Sequence, residues 1–135
     1  MELNDASALS ASELEHGTRF APRFDADGLI PCVVLDHLTK EALVLAYMNA
    51  ESLEATRRTG EVHFWSRSRG RLWKKGETSG NVLSVERIFV DCDQDALVVH
   101  AVPAGPTCHT GARSCFYREL DPEAEDESAL HHVLP

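Results

Sequence analysis

Apolar residues fall in short runs along most of the chain, and the spacing within each run decides between strand and helix. The run at 29–35 (LIPCVVL) follows the turn-forming Phe24-Asp25-Ala26-Asp27-Gly28 and is rich in β-branched residues, which predicts a buried strand with Cys32 in the core. Thr39 stands where it would cap a helix whose apolar positions Leu43, Ala46 and Tyr47 recur at helical spacing. Asn49 would cap a second helix running to Thr59, before Gly60. From Glu61 the texture changes to strands, expected at 61–68, 82–92, 96–102 and 114–120, with turn residues Gly70, Gly80 and Pro103 to Pro106 between them. Strands in succession predict an α+β fold, a mainly antiparallel sheet with two short helices in a single domain. Residues 1–17 are polar and aperiodic and read as a loose N-terminal tail. The domain then spans 18–120, and 121–135 reads as a mobile acidic C-terminal tail.

Composition narrows the function. A chain of 135 residues, 43% of them hydrophobic, suits one buried core. A formal net charge of -9 argues against nucleic-acid binding, which needs a positive surface to neutralise phosphates. No segment approaches the ~20 apolar residues that span a bilayer, and residues 1–15 lack a signal-peptide pattern, so a soluble cytoplasmic protein is expected. In that reducing compartment Cys32, Cys92, Cys108 and Cys115 read as metal ligands, catalytic groups or buried apolar residues rather than disulfides.

Cys92, Cys108 and Cys115 are separated by fifteen and six residues, without the C-x-x-C pair typical of structural zinc. Three thiolates leave a fourth tetrahedral position open, the arrangement of catalytic zinc. Cys108 lies in the polar loop GPTCHTG, where a thiol gains little from packing. These residues predict a zinc-dependent hydrolase.

In Asp91-Cys92-Asp93-Gln94-Asp95 a continued strand would put the three aspartates on one face and Cys92 on the other. Three gathered carboxylates repel unless a hard cation sits between them, which points to Mg²⁺. An EF-hand is excluded, because the sixth and twelfth positions counted from Asp91 are Ala96 and Val102. Cys92 either joins Cys108 and Cys115 in one chain or completes a site on another subunit, and the sequence leaves both open.

The acidic chain also holds a basic and aromatic segment at 65–80 (WSRSRGRLWKKGETSG). Arg67, Arg69, Arg71, Lys74 and Lys75, with Ser66 and Ser79, supply donors for phosphate, and Trp65 or Trp73 a face for a base. A solvated hairpin with edge charges is the bland alternative; the interleaved hydroxyls favour a small phosphorylated nucleotide.

Together LAYMN (45–49), WSRSR (65–69), LWKKGETSGN (72–81), DCDQDAL (91–97) and GPTCHTGARSCF (105–116) resemble the phosphoribosyl-AMP cyclohydrolase family of histidine biosynthesis over roughly residues 20–118. The resemblance implies hydrolytic opening of the adenine ring of 1-(5-phosphoribosyl)-AMP at its N1–C6 bond by zinc-activated water. It implies Mg²⁺ on Asp91, Asp93 and Asp95, and zinc on Cys108, Cys115 and the Cys92 of a partner subunit. It therefore implies a homodimer with active sites at the interface. Some members carry a second, pyrophosphohydrolase domain; from its length, this chain is expected to be the monofunctional form.

Three thiolates make zinc a weaker acidifier of water than three histidines, which bring its pKa to about 7. His109, next to Cys108, is therefore the expected general base. A nucleobase deaminase is disfavoured because the H-x-E and P-C-x-x-C pair is absent. A non-enzymatic zinc module would instead have a saturated metal and no turnover.

Overall fold

The structure, a computed structural model, describes residues 5–126 and 129–133; the remaining parts of both expected tails lie outside the described residues. Its centre is a four-stranded sheet in the order β2-β1-β6-β5, built from β1 (Ile30–Asp36), β2 (Ala42–Met48), β5 (Leu83–Val90) and β6 (Leu97–Pro103). β1 pairs antiparallel with β2 and parallel with β6, while β5 and β6 are antiparallel. A hairpin of β3 (His63–Ser66) and β4 (Arg71–Lys74) and the helix α2 (Ala50–Thr59) complete the core. The fold is α+β and mainly antiparallel, as the strand succession predicts.

Alternation sorts the side chains. Ile30, Cys32 and Val34 of β1 and Leu97, Val99 and Ala101 of β6 point to one face and are buried there. Leu53 of α2, Phe64 of β3, Leu43, Met48 and Leu83 close over them in a single cluster. Cys32 is a core residue as expected, and burial pushes its thiol up to about 12, which leaves it chemically inert.

The expected helix after Thr39 is a strand. Residues 42–48 are apolar almost throughout, so the helical spacing of Leu43, Ala46 and Tyr47 arises by coincidence within a buried run, and pairing with β1 decides the conformation. Thr39 belongs to the connecting turn instead, where Asp36 Oδ1 accepts from the N–H groups of Leu38 and Thr39, and Thr39 Oγ1 accepts from the N–H of Glu41. The helix at Asn49 forms as read from the sequence. Asn49 Oδ1 accepts from Ser52 N at 2.9 Å, Ser52 Oγ accepts from Asn49 N at 2.8 Å, and Gly60 ends the helix at φ 73°.

Among the described residues, both stretches expected to be tails contain short regular elements. Residues 6–8 form a 3-10 turn and Ala11–His16 the helix α1, which starts with a capping box between Ser10 and Glu13. At the other end β7 (Arg118–Leu120) pairs with β8 (Leu130–His132). The strand expected at 114–120 is thus confined to its last three residues, because 114–115 bond instead to the start of β2. Among the described residues no helix is long and apolar enough to cross a membrane.

Thr56 links α2 to the hairpin. Its buried hydroxyl donates to Ser52 O at 2.8 Å and accepts from His63 N at 2.9 Å. Thr56→Val keeps the shape and strands the His63 N–H, so chemical denaturation should show a loss of about 1–3 kcal/mol.

Candidate active site

The cysteine loop hangs from the edge strand. Ser114 Oγ donates to Ala42 O at 2.6 Å, Cys115 N to Leu43 O at 2.8 Å, and Arg113 pairs with Glu41 at 2.8 Å. Within the loop, Thr107 N bonds Arg113 O and Cys108 N bonds Ala112 O, with Gly111 at φ 91° making the turn. This closure brings Cys108 and Cys115 together across the loop.

Their thiols are unequal. Burial pushes Cys108 up, but the Thr110 hydroxyl, 3.1 Å from its Sγ, the Thr110 N–H, the Cys115 thiol and the Lys75 ammonium together hold it below the ordinary cysteine value. Burial and the neighbouring Cys108 charge raise Cys115. Two thiols this close can share one cation, which favours their charged forms, so the pair fits a thiophilic metal such as zinc. Among the described residues, however, the one group of three or more His, Cys, Asp or Glu donors close enough to share an ion is Asp91, Asp93 and Asp95. Cys92 therefore does not join Cys108 and Cys115 within the chain. It is exposed, on the aspartate turn.

The aspartates gather by another route than the expected alternation. β5 ends at Val90, and 91–95 is a turn with Gln94 at φ 60°. Asp91 Oδ1 accepts from Asp95 N at 2.9 Å and Ala96 N at 3.1 Å, and the three carboxylates come within 4.8 Å of one another. Hydrogen bonding to Asp93 and Asp91, with their charge, pushes Asp95 up to about 6, whereas Asp91 is held low by hydrogen bonds that outweigh its burial. A proton shared among them does what a hard divalent cation does better, so this donor set fits Mg²⁺.

The basic segment splits into two hollows that share Trp73. One, of about 370 Å³, lies between Lys75, Gly76, Glu77, Thr78, Ser79 and Asn81 on one side and Thr107, Cys108 and His109 on the other. The second, of about 290 Å³, is lined by Ser66, Ser68, Arg69 and Arg71. The loops meet because two glycines flank Asn81: a Cβ on Gly76 would fall 2.5 Å from the Asn81 carbonyl carbon, and one on Gly105 2.4 Å from its Oδ1. A larger hollow of about 780 Å³ lies against the N-terminal arm, away from the thiols and the basic hairpin.

Of the residues expected to bind substrate, Lys75 and Ser79 line the cleft beside His109, and Ser66, Arg69 and Arg71 line its neighbour. Trp65 lies in neither lining. Several cations have partners within the chain: Arg71 pairs with Glu77 at 2.5 Å, Lys74 with Glu61 at 3.3 Å, and Arg67 stacks on Tyr47 at 4.1 Å. Lys75 lies 5.2 Å over the Trp73 ring and also acts on Cys108. Sequence reasoning missed Asn81, Thr107 and Thr110. Thr110, a hydroxyl two residues from a thiol in a tight glycine loop, carried the only local signal for its role.

Sequence comparison with known proteins covers the same segments. The family profile described as phosphoribosyl-AMP cyclohydrolase matches residues 44–117. The phosphoribosyl-AMP cyclohydrolase of Erythrobacter litoralis (strain HTCC2594) is 62% identical over 115 residues, 85% of this chain and 92% of that one. That of Sphingopyxis alaskensis (strain DSM 13593 / LMG 18877 / RB2256) is 60% identical over 103 residues, 76% of this chain and 82% of that one. The histidine biosynthesis bifunctional protein HisIE of Caldanaerobacter subterraneus subsp. tengcongensis is 58% identical over 104 residues, 77% of this chain and 51% of that protein. The profile match takes in the cysteine loop, the aspartate turn and both basic hollows, and the chain belongs to the phosphoribosyl-AMP cyclohydrolase family of hydrolases.

Proposed function

We propose that this protein opens the adenine ring of 1-(5-phosphoribosyl)-AMP at its N1–C6 bond, a step of L-histidine biosynthesis, as a cytoplasmic homodimer with two shared active sites. The observation that carries this reading is the cleft that sets Trp73, Lys75 and Ser79 against Cys108 and His109. A cation, a stacking surface and hydroxyl donors on one wall suit a phosphorylated purine; an ionisable thiol and an imidazole on the other suit hydrolysis.

Cys108 and Cys115 of one copy and Cys92 of a second would hold the zinc, and that ion, when bound, supplies the Lewis acidity that activates the attacking water. His109 takes the proton of that water and can return it to N1 as the N1–C6 bond breaks, leaving the water oxygen on C6. Trp73 stacks on the purine. Lys75, Arg69 and Arg71 meet the two phosphates, with Ser66 and Ser79 as further donors. Asp91, Asp93 and Asp95 would hold Mg²⁺, and that ion would supply positive charge for the anionic substrate.

Incubation with 1-(5-phosphoribosyl)-AMP should change the ultraviolet spectrum as the ring opens, and a chelator should abolish the change; a zinc-loaded protein that leaves the spectrum unaltered would sink the proposal. His109→Ala should retain zinc and lose about 10²–10⁴-fold in kcat, whereas near-normal turnover would remove His109 from the mechanism. The shared site has its own test. Cys92→Ser and Cys108→Ser should each be inactive, yet coexpression should restore about a quarter of wild-type activity, because half of randomly mixed dimers carry one intact site of two. An intrachain site would give no recovery.

A further inference from the structure

Gln94 stands in the middle of the acidic turn and is 4% exposed, deeper than the aspartates around it. Its backbone is left-handed at φ 60°, a conformation that a side chain of this size adopts only when the surroundings hold it there. Those surroundings are the N-terminal arm. Gln94 Oε1 accepts from Ala21 N at 2.8 Å, and Nε2 donates to Leu14 O at 3.0 Å and to Arg19 O at 3.1 Å. Its main-chain carbonyl accepts from Arg23 N at 2.7 Å, and its own N–H returns to Asp91 O at 3.1 Å.

One acceptor meets an N–H and two donors meet carbonyls, so the opposite orientation of the amide would reverse all three side-chain bonds. The partners lie 73 to 80 positions away in sequence, which makes this a tertiary clamp rather than a local turn motif. The arm is itself set by the capping box of α1 and by Gly17, whose N–H donates to Glu13 O. A hollow of about 260 Å³ runs between the two parts, with Leu14 and Arg19 on one side and Asp91 and Cys92 on the other.

We infer that Gln94 is a positioning residue that braces the aspartate turn against the N-terminal arm, holding Asp91, Asp93 and Asp95 in the arrangement that takes a divalent cation. This rests on the reading of the three aspartates given above. Like charges gathered within 4.8 Å push a free turn open, and the brace opposes that push from behind, without contributing a ligand. Hydrogen-bond partners behind the ligands of a metal site commonly govern its affinity in this way. The arm, which lies away from the cleft, becomes part of the metal site through this one side chain.

The test uses Mn²⁺ as the probe, titrated by electron paramagnetic resonance into the full-length, zinc-loaded protein. Gln94→Asn retains a residue that accepts left-handed backbone but is one methylene too short for the arm. It should bind Mn²⁺ about tenfold more weakly, and thermal unfolding of the same samples separates this from a loss of fold, which would not lower the affinity of the folded fraction. Gly17→Ala acts from the other side, since its Cβ would fall 2.5 Å from Glu13 O and displace the arm while leaving the turn untouched. It should weaken Mn²⁺ binding too, and carries the test if Gln94→Asn does not fold. Wild-type affinity in either folded variant would overturn the brace. Absence of Mn²⁺ binding by the wild-type protein would overturn the aspartate reading and the brace together.

Discussion

The two carbonyls at the start of β2, those of Ala42 and Leu43, hold the site in place. β2 is an edge strand, and an edge exposes backbone groups that must find partners elsewhere. Here Ser114 Oγ and Cys115 N take them, so the cysteine loop is fastened to the central sheet at the point where one of its thiols lies. The rest of the arrangement follows from that fastening. Cys108 is brought up to Cys115, His109 and Thr107 face the basic hairpin, and the cleft forms between loops rather than inside the core. The sheet supplies rigidity and the loops supply chemistry.

Much of this was legible in the sequence, for identifiable reasons. The helix at Asn49 announced both of its ends through local chemistry, a side-chain cap and a left-handed glycine, and local chemistry is what a single sequence displays best. The segment after Thr39 offered a cap and a helical spacing and became a strand, because a continuous apolar run satisfies helical and extended periods alike and only the pairing with β1 decides. The aspartates show a subtler case. Their convergence follows from composition and crowding, yet they converge in a turn closed by backbone N–H groups on Asp91, not through the alternation of a strand. Gln94 gave no sign of burial, since its partners lie at the far end of the chain. The short elements described in both terminal stretches were hidden likewise, because polar segments held by backbone bonds leave no hydrophobic period.

The two ionic clusters share a physical problem. Each gathers groups that prefer to be apart when charged, thiols in one and carboxylates in the other, and in each the crowding makes the acidities unequal. Among the thiols, Cys108 is held low and Cys115 high; in the turn, Asp91 is held low and Asp95 is raised to about 6. Perturbed groups of this kind cluster at functional sites. The acidity of the whole chain, with its formal charge of -9, leaves the cations of the hairpin as a local exception. Several of them are tied to Glu61, Glu77 or Tyr47, which fixes their positions within the chain.

The width of the cleft is set by two missing methyl groups. Gly76 and Gly105 approach Asn81 from opposite sides so closely that one added carbon on either would collide with it. Neither glycine can therefore drift on its own, and a change at either requires Asn81 to move in the same step. Gly105 answers to the side chain at 81, whereas Gly76 answers to the backbone there, which every residue at 81 would present. A side chain at 105 therefore asks for a smaller residue at 81, while a side chain at 76 asks the loop itself to move.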